Sequence, residues 1–201
     1  MRLQKIGILG GSFNPAHQGH REISLAALRL LGLDEVWWLV SPQNPLKSSE
    51  GMGEFKDRMA SAKKITKHPR IKISAFEARI NEPRTAKMLP KLIESNPKCQ
   101  FVWLMGADNL VQFPKWYQWE DIMDTVPIAV FNRPGYTYRA LNGPIAHKYR
   151  KNRLFPAADG KPIPQFALTP PPCWVFVSQT AHKISSTHIR NFHDKAGNTC
   201  S

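Results

Sequence analysis

Eleven residues near the amino terminus, Gly10 to His20 with the sequence GGSFNPAHQGH, constrain the fold of this chain more than any other stretch. An apolar run over residues 6–9 precedes them, and an amphipathic segment over residues 21–31 follows. This order predicts a strand, a turn and a helix, where glycines let backbone amides approach an anion and the helix dipole adds positive potential. His17 and His20 are three positions apart, so both lie on one face where the helix begins. We therefore expect this glycine-histidine loop, residues 10–20, to bind phosphate.

The glycine-histidine loop also has simpler interpretations. Gly10 and Gly11 alone are compatible with an ordinary turn, and two histidines are compatible with half of a metal site. The loop is not a P-loop, because no Gly-Lys-Ser/Thr sequence ends it. It is not the dinucleotide fingerprint either, because a histidine stands where the third glycine would be. The complete string is far more specific than its parts.

Composition limits the class of protein. A chain of 201 residues predicts one domain, or one domain with a lid, and a net charge of +13 favours anionic partners such as nucleotides, nucleic acid or acidic lipid. The three cysteines, Cys99, Cys173 and Cys200, are too widely spaced for a zinc pattern or a disulfide framework. No apolar stretch reaches the length of a signal peptide core or a membrane span, so we expect a cytoplasmic protein without a membrane partner.

Apolar runs alternate with amphipathic segments along the chain. Runs at residues 36–40, 101–105, 126–131 and 174–177 are typical of strands buried on both faces, and helices are predicted over residues 54–67 and 86–94, with Thr85 as the cap. The alternation predicts an α/β fold with a doubly wound, Rossmann-like parallel sheet flanked by helices. We expect one domain over residues 1–201. It comprises a core (1–132, with a loop at 77–83), an irregular basic and proline-rich excursion (133–172), and a last strand with a small C-terminal helical part (173–201).

Several candidate ligand-binding residues follow predicted strands. Lys47 follows the second strand, where it either meets a phosphate or is simply solvated. Gly106 and Asp108 follow the strand at 101–105, and Asp108 either accepts hydrogen bonds from a ribose or an amine or caps the next helix. Trp116 lies in an aromatic segment and is the best candidate for stacking on a ligand ring. Ligands of open α/β sheets bind at the carboxyl ends of the strands, where Lys47, Gly106 and Asp108 fall.

A second phosphate-binding pattern lies about 165 residues beyond the first, in the sequence KISSTHIR from Lys183 to Arg190. Ser185, Ser186 and Thr187 offer hydroxyls at a predicted helix start, and Arg190 offers a guanidinium one turn further along. Together the two patterns are much stronger evidence for a nucleotide site than either alone.

Both patterns resemble motifs of the nucleotidyltransferase superfamily of adenylyl and cytidylyl transferases. Residues 11–20 match G-x-F-x-P-x-H-x-G-H, and residues 184–190 match I-S-S-T-x-I-R. Over residues 5–192 the chain resembles most closely the bacterial nicotinate-nucleotide adenylyltransferases, which join ATP and nicotinate mononucleotide into deamido-NAD and pyrophosphate with Mg²⁺ held mainly by substrate and water. The resemblance implies that the catalytic residues are His17, His20 and Arg190. It also implies ATP binding by Gly10, Gly11, Ser12, Phe13, His17, His20, Lys47, Gly106, Asp108, Ser185, Ser186, Thr187 and Arg190.

The acceptor half departs from that family. Relatives usually carry Pro-His-Lys where this chain has Pro-Leu-Lys at residues 45–47, and Tyr-Thr-x-Asp-Thr where it has Arg-Thr-Ala-Lys-Met at residues 84–88, here called the acceptor segment. A lysine, Lys115, also stands where a histidine is common. The resemblance implies that nicotinate mononucleotide contacts Asn14, Arg84, Thr85 and Trp116, with Lys87 as a further cation.

Two alternatives stay open on the sequence alone. One is a related enzyme that adenylylates pantetheine phosphate or another mononucleotide. The other is a nucleic-acid-binding module, which the positive charge allows but for which the chain has no aromatic-basic recognition motif. The sequence does not determine the oligomeric state.

Overall fold

In a computed structural model of the chain, residues 2–42, 51–155 and 162–178 are described. Their strands are β1 (Gln4–Gly11), β2 (Glu35–Val40), β3 (Ile71–Ser74), β4 (Cys99–Gly106), β5 (Ile128–Phe131), β6 (Arg153–Leu154) and β7 (Trp174–Val177). The seven strands form one sheet in the order β3-β2-β1-β4-β5-β7-β6, and every pair is parallel. The predicted Rossmann-like parallel sheet is confirmed.

Eight helices lie in the described residues. They are α1 (Gln18–Leu30), α2 (Phe55–Thr66), α3 (Phe76–Ile80), α4 (Thr85–Glu94), α5 (Ala107–Gln112), α6 (Trp119–Thr125), α7 (Thr137–Leu141) and α8 (Pro144–Lys148). Single turns of 3-10 helix occur at Phe113–Lys115, Arg150–Asn152 and Phe166–Leu168. None of these helices is long and apolar enough to cross a membrane.

The core has two layers because both faces of the parallel sheet are covered. Ile6 and Ile8 of β1 are fully buried in the layer that contains Leu89 of α4. Leu9, the next residue of the same strand, lies in the opposite layer with Ala27 of α1. This alternation of successive residues between two buried faces is why the strands read as continuous apolar runs.

The sheet changes direction between β1 and β4. From β1 the chain adds β2 and β3 on one side, and it then returns to place β4 and β5 on the other side. β1 and β4 therefore lie next to each other, with Leu9 paired to Leu104. Crevices at such a reversal, outside the carboxyl ends of the strands, are the usual ligand sites of open α/β sheets. The glycine-histidine loop and the turn after β4 both begin there.

The structure contradicts part of the prediction for three segments that were expected to be irregular. Residues 77–83 were expected to form a loop, but α3 covers Phe76–Ile80, because Phe76 and Glu77 are buried against the core. The excursion predicted after residue 133 contains α7, α8 and β6 instead of irregular chain. The proline-rich part contains a 3-10 turn around the fully buried Phe166. Helices of one or two turns leave too few apolar repeats for a periodic pattern to detect.

Candidate active site

The glycine-histidine loop adopts the strand, turn and helix that its sequence predicts. β1 ends at Gly11, and His17 is the extended N-cap residue of α1. Phe13, between them, has a φ of 46°, in the left-handed region that side chains rarely adopt. Gly10 has a steric role, because a Cβ there would lie 2.5 Å from the ring of Trp103 on β4. The close approach of β1 to β4 thus requires a glycine at this position.

The two histidines of the loop form a stacked pair. Their ring centroids are 3.7 Å apart, and the backbone N–H of His17 donates to Nδ1 of His20 over 3.2 Å. Since Nδ1 of His20 accepts this bond, the proton of the neutral ring is on Nε2. The ring nitrogen of His20 that carries a proton to donate is therefore Nε2.

His17 is held in its neutral form. Burial, and then the positive charge of Arg133, lower the pKa of His17 to about 4. Its Nδ1 is buried and has no hydrogen-bond partner among the described residues. A neutral imidazole can bind beside a polyphosphate as a hydrogen-bond donor without the cost of burying a second cation.

Aromatic packing fixes the position of His20. Phe13 lies 4.7 Å from the His20 ring and stacks on Trp38 of β2 at 4.8 Å. Nε1 of Trp38 donates to Ser24 Oγ over 2.7 Å, and that hydroxyl donates to the His20 carbonyl over 2.9 Å. The first turn of α1 is thereby joined to the neighbouring strand by buried contacts.

An ion pair lies where β4 ends. Asp108, in the first turn of α5, binds Nη1 of Arg133 through Oδ2, while its buried Oδ1 has no hydrogen-bond partner among the described residues. A Cβ at Gly106 would lie 2.5 Å from that Oδ1, so a larger residue there would displace the carboxylate from its present position. Because the charge of Arg133 acts on His17, this ion pair belongs to the same site as the glycine-histidine loop.

The acceptor segment meets the aromatic segment that follows β4. Thr85 begins α4, and Arg84 precedes it as N-cap with its guanidinium paired to Glu82 over 2.8 Å. The Arg84 guanidinium carbon and the Lys87 Nζ lie 5.2 and 5.3 Å from the centre of the Tyr117 ring. The neighbouring Trp116 is half-buried, which leaves part of its ring accessible. The structure therefore brings together the two segments that the sequence assigned to the acceptor.

Trp116 is held by edge contacts with two other rings. Its ring centre is 5.3 Å from that of Phe113 and 6.2 Å from that of Trp103. Perpendicular contacts of this kind are favourable for aromatic pairs, and they hold the half-buried ring in place. The stacking role of Trp116 stays a prediction.

The structure gives Asn14 a contact inside the protein. Its side-chain amide donates to the Gly51 carbonyl over 3.0 Å, and its Oδ1 accepts from the Gly53 N–H over 3.2 Å. Its predicted role toward the mononucleotide stays a prediction, as do the ATP contacts of the glycine-histidine loop. Five other predicted site residues, Lys47, Ser185, Ser186, Thr187 and Arg190, lie outside the described residues.

Sequence reasoning missed three charged residues at this end of the sheet. Arg58 lies in the helix predicted over residues 54–67, where no sequence feature marks it as buried, but it is 3% exposed and bonds to loop carbonyls. Arg133 was assigned only to the irregular basic excursion, although it pairs with Asp108. Glu77 is 4% exposed, and burial raises its pKa to about 7 although Ser41 donates a hydrogen bond to it. No local signal distinguishes these residues from exposed charges, because their burial depends on contacts with distant loops.

The described residues contain no group of three or more His, Cys, Asp or Glu side chains that could hold a metal ion.

A doubly wound sheet with a glycine-histidine loop at its switch point defines a nucleotide-binding class of α/β protein. The sequence model described as "Cytidylyltransferase-like" matches residues 8–192. The chain therefore belongs to the cytidylyltransferase-like family.

Curated relatives cover almost all of the chain. It is 50% identical over 186 residues to a protein of Parvibaculum lavamentivorans named "Probable nicotinate-nucleotide adenylyltransferase", which covers 92% of this chain and 90% of the relative. A protein of Agrobacterium fabrum with the same name is 42% identical over 94% of this chain and 98% of its own length.

Solved structures share the fold at lower identity. The Plasmodium falciparum nicotinic acid mononucleotide adenylyltransferase complexed with NaAD superposes with a TM-score of 0.69 at 18% identity, covering 94% of this chain and 83% of that one. The same protein complexed with APC gives a TM-score of 0.67. At this identity the likeness shows the fold alone.

Proposed function

We propose that this chain is a nicotinate-nucleotide adenylyltransferase, which transfers the adenylyl group of ATP to nicotinate mononucleotide and releases deamido-NAD and pyrophosphate. The observation that carries the proposal is the stacked pair of His17 and His20 at the start of α1, beside the switch point of the sheet. The names of the curated relatives indicate that nicotinate mononucleotide is the acceptor substrate.

The reaction is an in-line substitution at the α-phosphorus of ATP. A phosphate oxygen of the mononucleotide forms a new bond to that phosphorus, the bond to the oxygen bridging the α- and β-phosphates breaks, and its electron pair leaves with pyrophosphate. The attacking phosphate is already anionic at neutral pH, so no general base is required. Catalysis then consists of positioning the reactants and stabilising charge, as in phosphoryl transfer.

The glycine-histidine loop supplies the donors for this step. Nε2 of His20 donates to a phosphate oxygen, because Nδ1 is occupied by the His17 backbone N–H. Neutral His17 provides a second imidazole in contact with the first. Mg²⁺ enters with ATP as part of the substrate, bound by phosphate oxygens and water. Arg190 and the hydroxyls of residues 185–187 complete the ATP site in this proposal.

The acceptor site is formed by the acceptor segment and Trp116. The first amide N–H groups of α4, beginning at Thr85, donate hydrogen bonds to the pyridine carboxylate, while Arg84 and Lys87 add positive potential around Tyr117. The face of Trp116 stacks on the pyridine ring. Because a carboxylate and a carboxamide differ by a full charge, this site favours the acid over the amide.

A direct assay tests the proposal. The purified chain is incubated with MgATP and, separately, with nicotinate mononucleotide, nicotinamide mononucleotide and pantetheine phosphate, and dinucleotide and pyrophosphate are measured. We expect kcat/KM to be highest for nicotinate mononucleotide, by about tenfold for each 1.4 kcal/mol of differential interaction. Equal values for the acid and amide mononucleotides, or turnover with pantetheine phosphate alone, would contradict the proposed acceptor.

The nucleic-acid alternative predicts a different dependence on salt. Polyanion binding weakens steeply with added salt, because the entropy gained by releasing counterions falls as the salt concentration rises. Turnover of a mononucleotide in a pocket responds much less. Tight binding of an oligonucleotide without any adenylyl transfer would favour that alternative.

A further inference from the structure

Arg58 is a charged side chain buried in the second turn of α2. Only 3% of the residue is exposed. Among the described residues it forms no ion pair, although Glu54, which precedes α2, acts on it through its charge. A buried guanidinium is stable only if its N–H groups are hydrogen-bonded.

Four backbone carbonyls accept those hydrogen bonds. Nη1 donates to the carbonyls of Ser12 and Ser41 over 2.6 and 2.7 Å. Nη2 donates to the Pro42 carbonyl over 2.8 Å, and Nε donates to the Gly53 carbonyl over 3.0 Å. One planar group thus bonds to three separate pieces of backbone.

Two of these pieces are the ends of adjacent strands. Ser12 follows β1, whereas Ser41 and Pro42 follow β2, and the last residues of the two strands, Gly11 and Val40, are paired. The Ser41 N–H also donates to the Gly11 carbonyl over 2.9 Å. Arg58 therefore connects the start of the glycine-histidine loop with the exit of β2 at the carboxyl edge of the sheet.

The contact with Ser12 also orients the amide that follows it. In a trans peptide, the C=O and the next N–H point in opposite directions. Since the Ser12 carbonyl points toward Arg58, the Phe13 N–H points away from α2. Among the described residues none accepts a hydrogen bond from that N–H, and Phe13 has the unfavourable φ of 46°. The bond to Arg58 helps to maintain this strained peptide in one orientation.

We infer that Arg58 is a positioning residue for adenylyl transfer: it holds the Ser12–Phe13 peptide so that the Phe13 amide and the following histidines face the triphosphate of ATP. Arg58 acts through the loop and does not touch either substrate. The inference rests on the proposed function only as far as ATP is the adenylyl donor, and it does not depend on which mononucleotide accepts.

Arg58→Lys tests this role. Lysine keeps the charge, but its single ammonium cannot match a planar fork that bonds to four carbonyls. We expect kcat to fall about ten- to a hundredfold and the KM for ATP to rise about threefold or more, while the KM for the mononucleotide stays within about twofold. Arg70→Lys is the matched control, because Arg70 donates to a single carbonyl, that of Leu33, over 3.5 Å. We expect it to leave all three constants unchanged.

The pattern of kcat and KM values distinguishes a positioning role of Arg58 from an effect of the substitution on protein stability. A smaller folded fraction lowers the apparent kcat but leaves the KM for ATP unchanged, so kcat is expressed per folded enzyme by circular dichroism. A wild-type KM for ATP together with a wild-type kcat per folded enzyme would overturn the inference. Absence of activity with nicotinate mononucleotide in the wild-type chain would instead count against the proposed acceptor.

A measurement on the unmodified chain covers the case in which Arg58→Lys does not fold. Uniformly ¹⁵N-labelled wild-type protein is titrated with ATP, and the Phe13 amide and Arg58 Nε–H resonances are followed. We expect a large shift at Phe13 and a small one at Arg58. An unchanged Phe13 resonance, or an equally large shift at Arg58, would overturn the inference.

Discussion

The glycine-histidine loop and the acceptor segment contribute to one site, but they are built differently. The loop is fixed by buried contacts, namely Arg58 on the Ser12 carbonyl and the rings of Phe13 and Trp38 around His20. The acceptor segment presents Arg84 and other cations at the surface, where they interact with Glu82 and with the exposed ring of Tyr117.

Because the loop is buried and the acceptor segment is exposed, we expect the loop to control the rate of adenylyl transfer and the acceptor segment to control the choice of acceptor. Donors held by buried packing cannot relax when charge develops, so each one is worth several kcal/mol in the transition state. Exposed charges are screened by water and are worth much less. Changes in the loop should therefore lower kcat strongly, whereas changes in the acceptor segment should alter the choice of acceptor by small factors.

His20→Ala tests the stronger half of this comparison. It removes the Nε2 donor, and we expect a loss of about 3–4 kcal/mol of transition-state stabilisation, or a hundred- to a thousandfold in the single-turnover rate. ATP binding and the fold should largely survive. His147→Ala, which changes an exposed histidine of α8, is the control. A His20→Ala rate within a few-fold of wild type would contradict the assignment.

Glu77→Gln tests how strongly burial acts on a carboxyl that accepts a hydrogen bond from Ser41, just after β2. The folded-state pKa of Glu77, about 7, is above its ordinary value of 4.5 because the carboxyl is buried. Protonated Glu77 therefore contributes stability that is fully present below pH 4.5 and is lost as pH rises toward and through 7. Between pH 5 and pH 8 the wild type should lose about 2–3 kcal/mol of unfolding free energy relative to Glu77→Gln, as measured by urea denaturation. An equal pH dependence in the two proteins would indicate that Glu77 ionises freely in the fold.

Trp116→Ala tests the aromatic part of the acceptor site. Loss of stacking is worth about 1 kcal/mol, so we expect the KM for nicotinate mononucleotide to rise roughly fivefold while the KM for ATP stays constant. Trp116→Phe keeps a ring against Phe113 and Trp103 and should retain most of the affinity. A variant that weakens ATP but not the mononucleotide would exclude the stacking role.

Glu82→Gln should have the smallest effect. It removes the carboxylate that pairs with Arg84 and leaves more positive potential beside Thr85. We expect the ratio of kcat/KM for acid over amide mononucleotide to rise only about two- to threefold, because the side chain of Arg84 is 41% exposed and water screens its charge. Glu94→Gln, at the other end of α4, is the control. A fall in the ratio would show that Glu82 itself helps to bind the acceptor.

The regular elements were predictable because their signals are local. The apolar runs predicted β2, β4 and β7 with small errors at their ends, and the glycine-histidine loop lies between a strand and a helix as its sequence predicts. The short α3, α7 and α8 were missed, since their formation depends on burial against the sheet.

The sequence by itself determined the order of the longer strands and helices, the glycine-histidine loop and its position after the first strand. It did so because backbone conformation and apolar periodicity are properties of neighbouring residues. Only the tertiary structure decided that Arg58 is buried and that Arg133 pairs with Asp108 beside His17. Those contacts join loops far apart in sequence, and a charged side chain looks the same in sequence whether water or a distant carbonyl surrounds it.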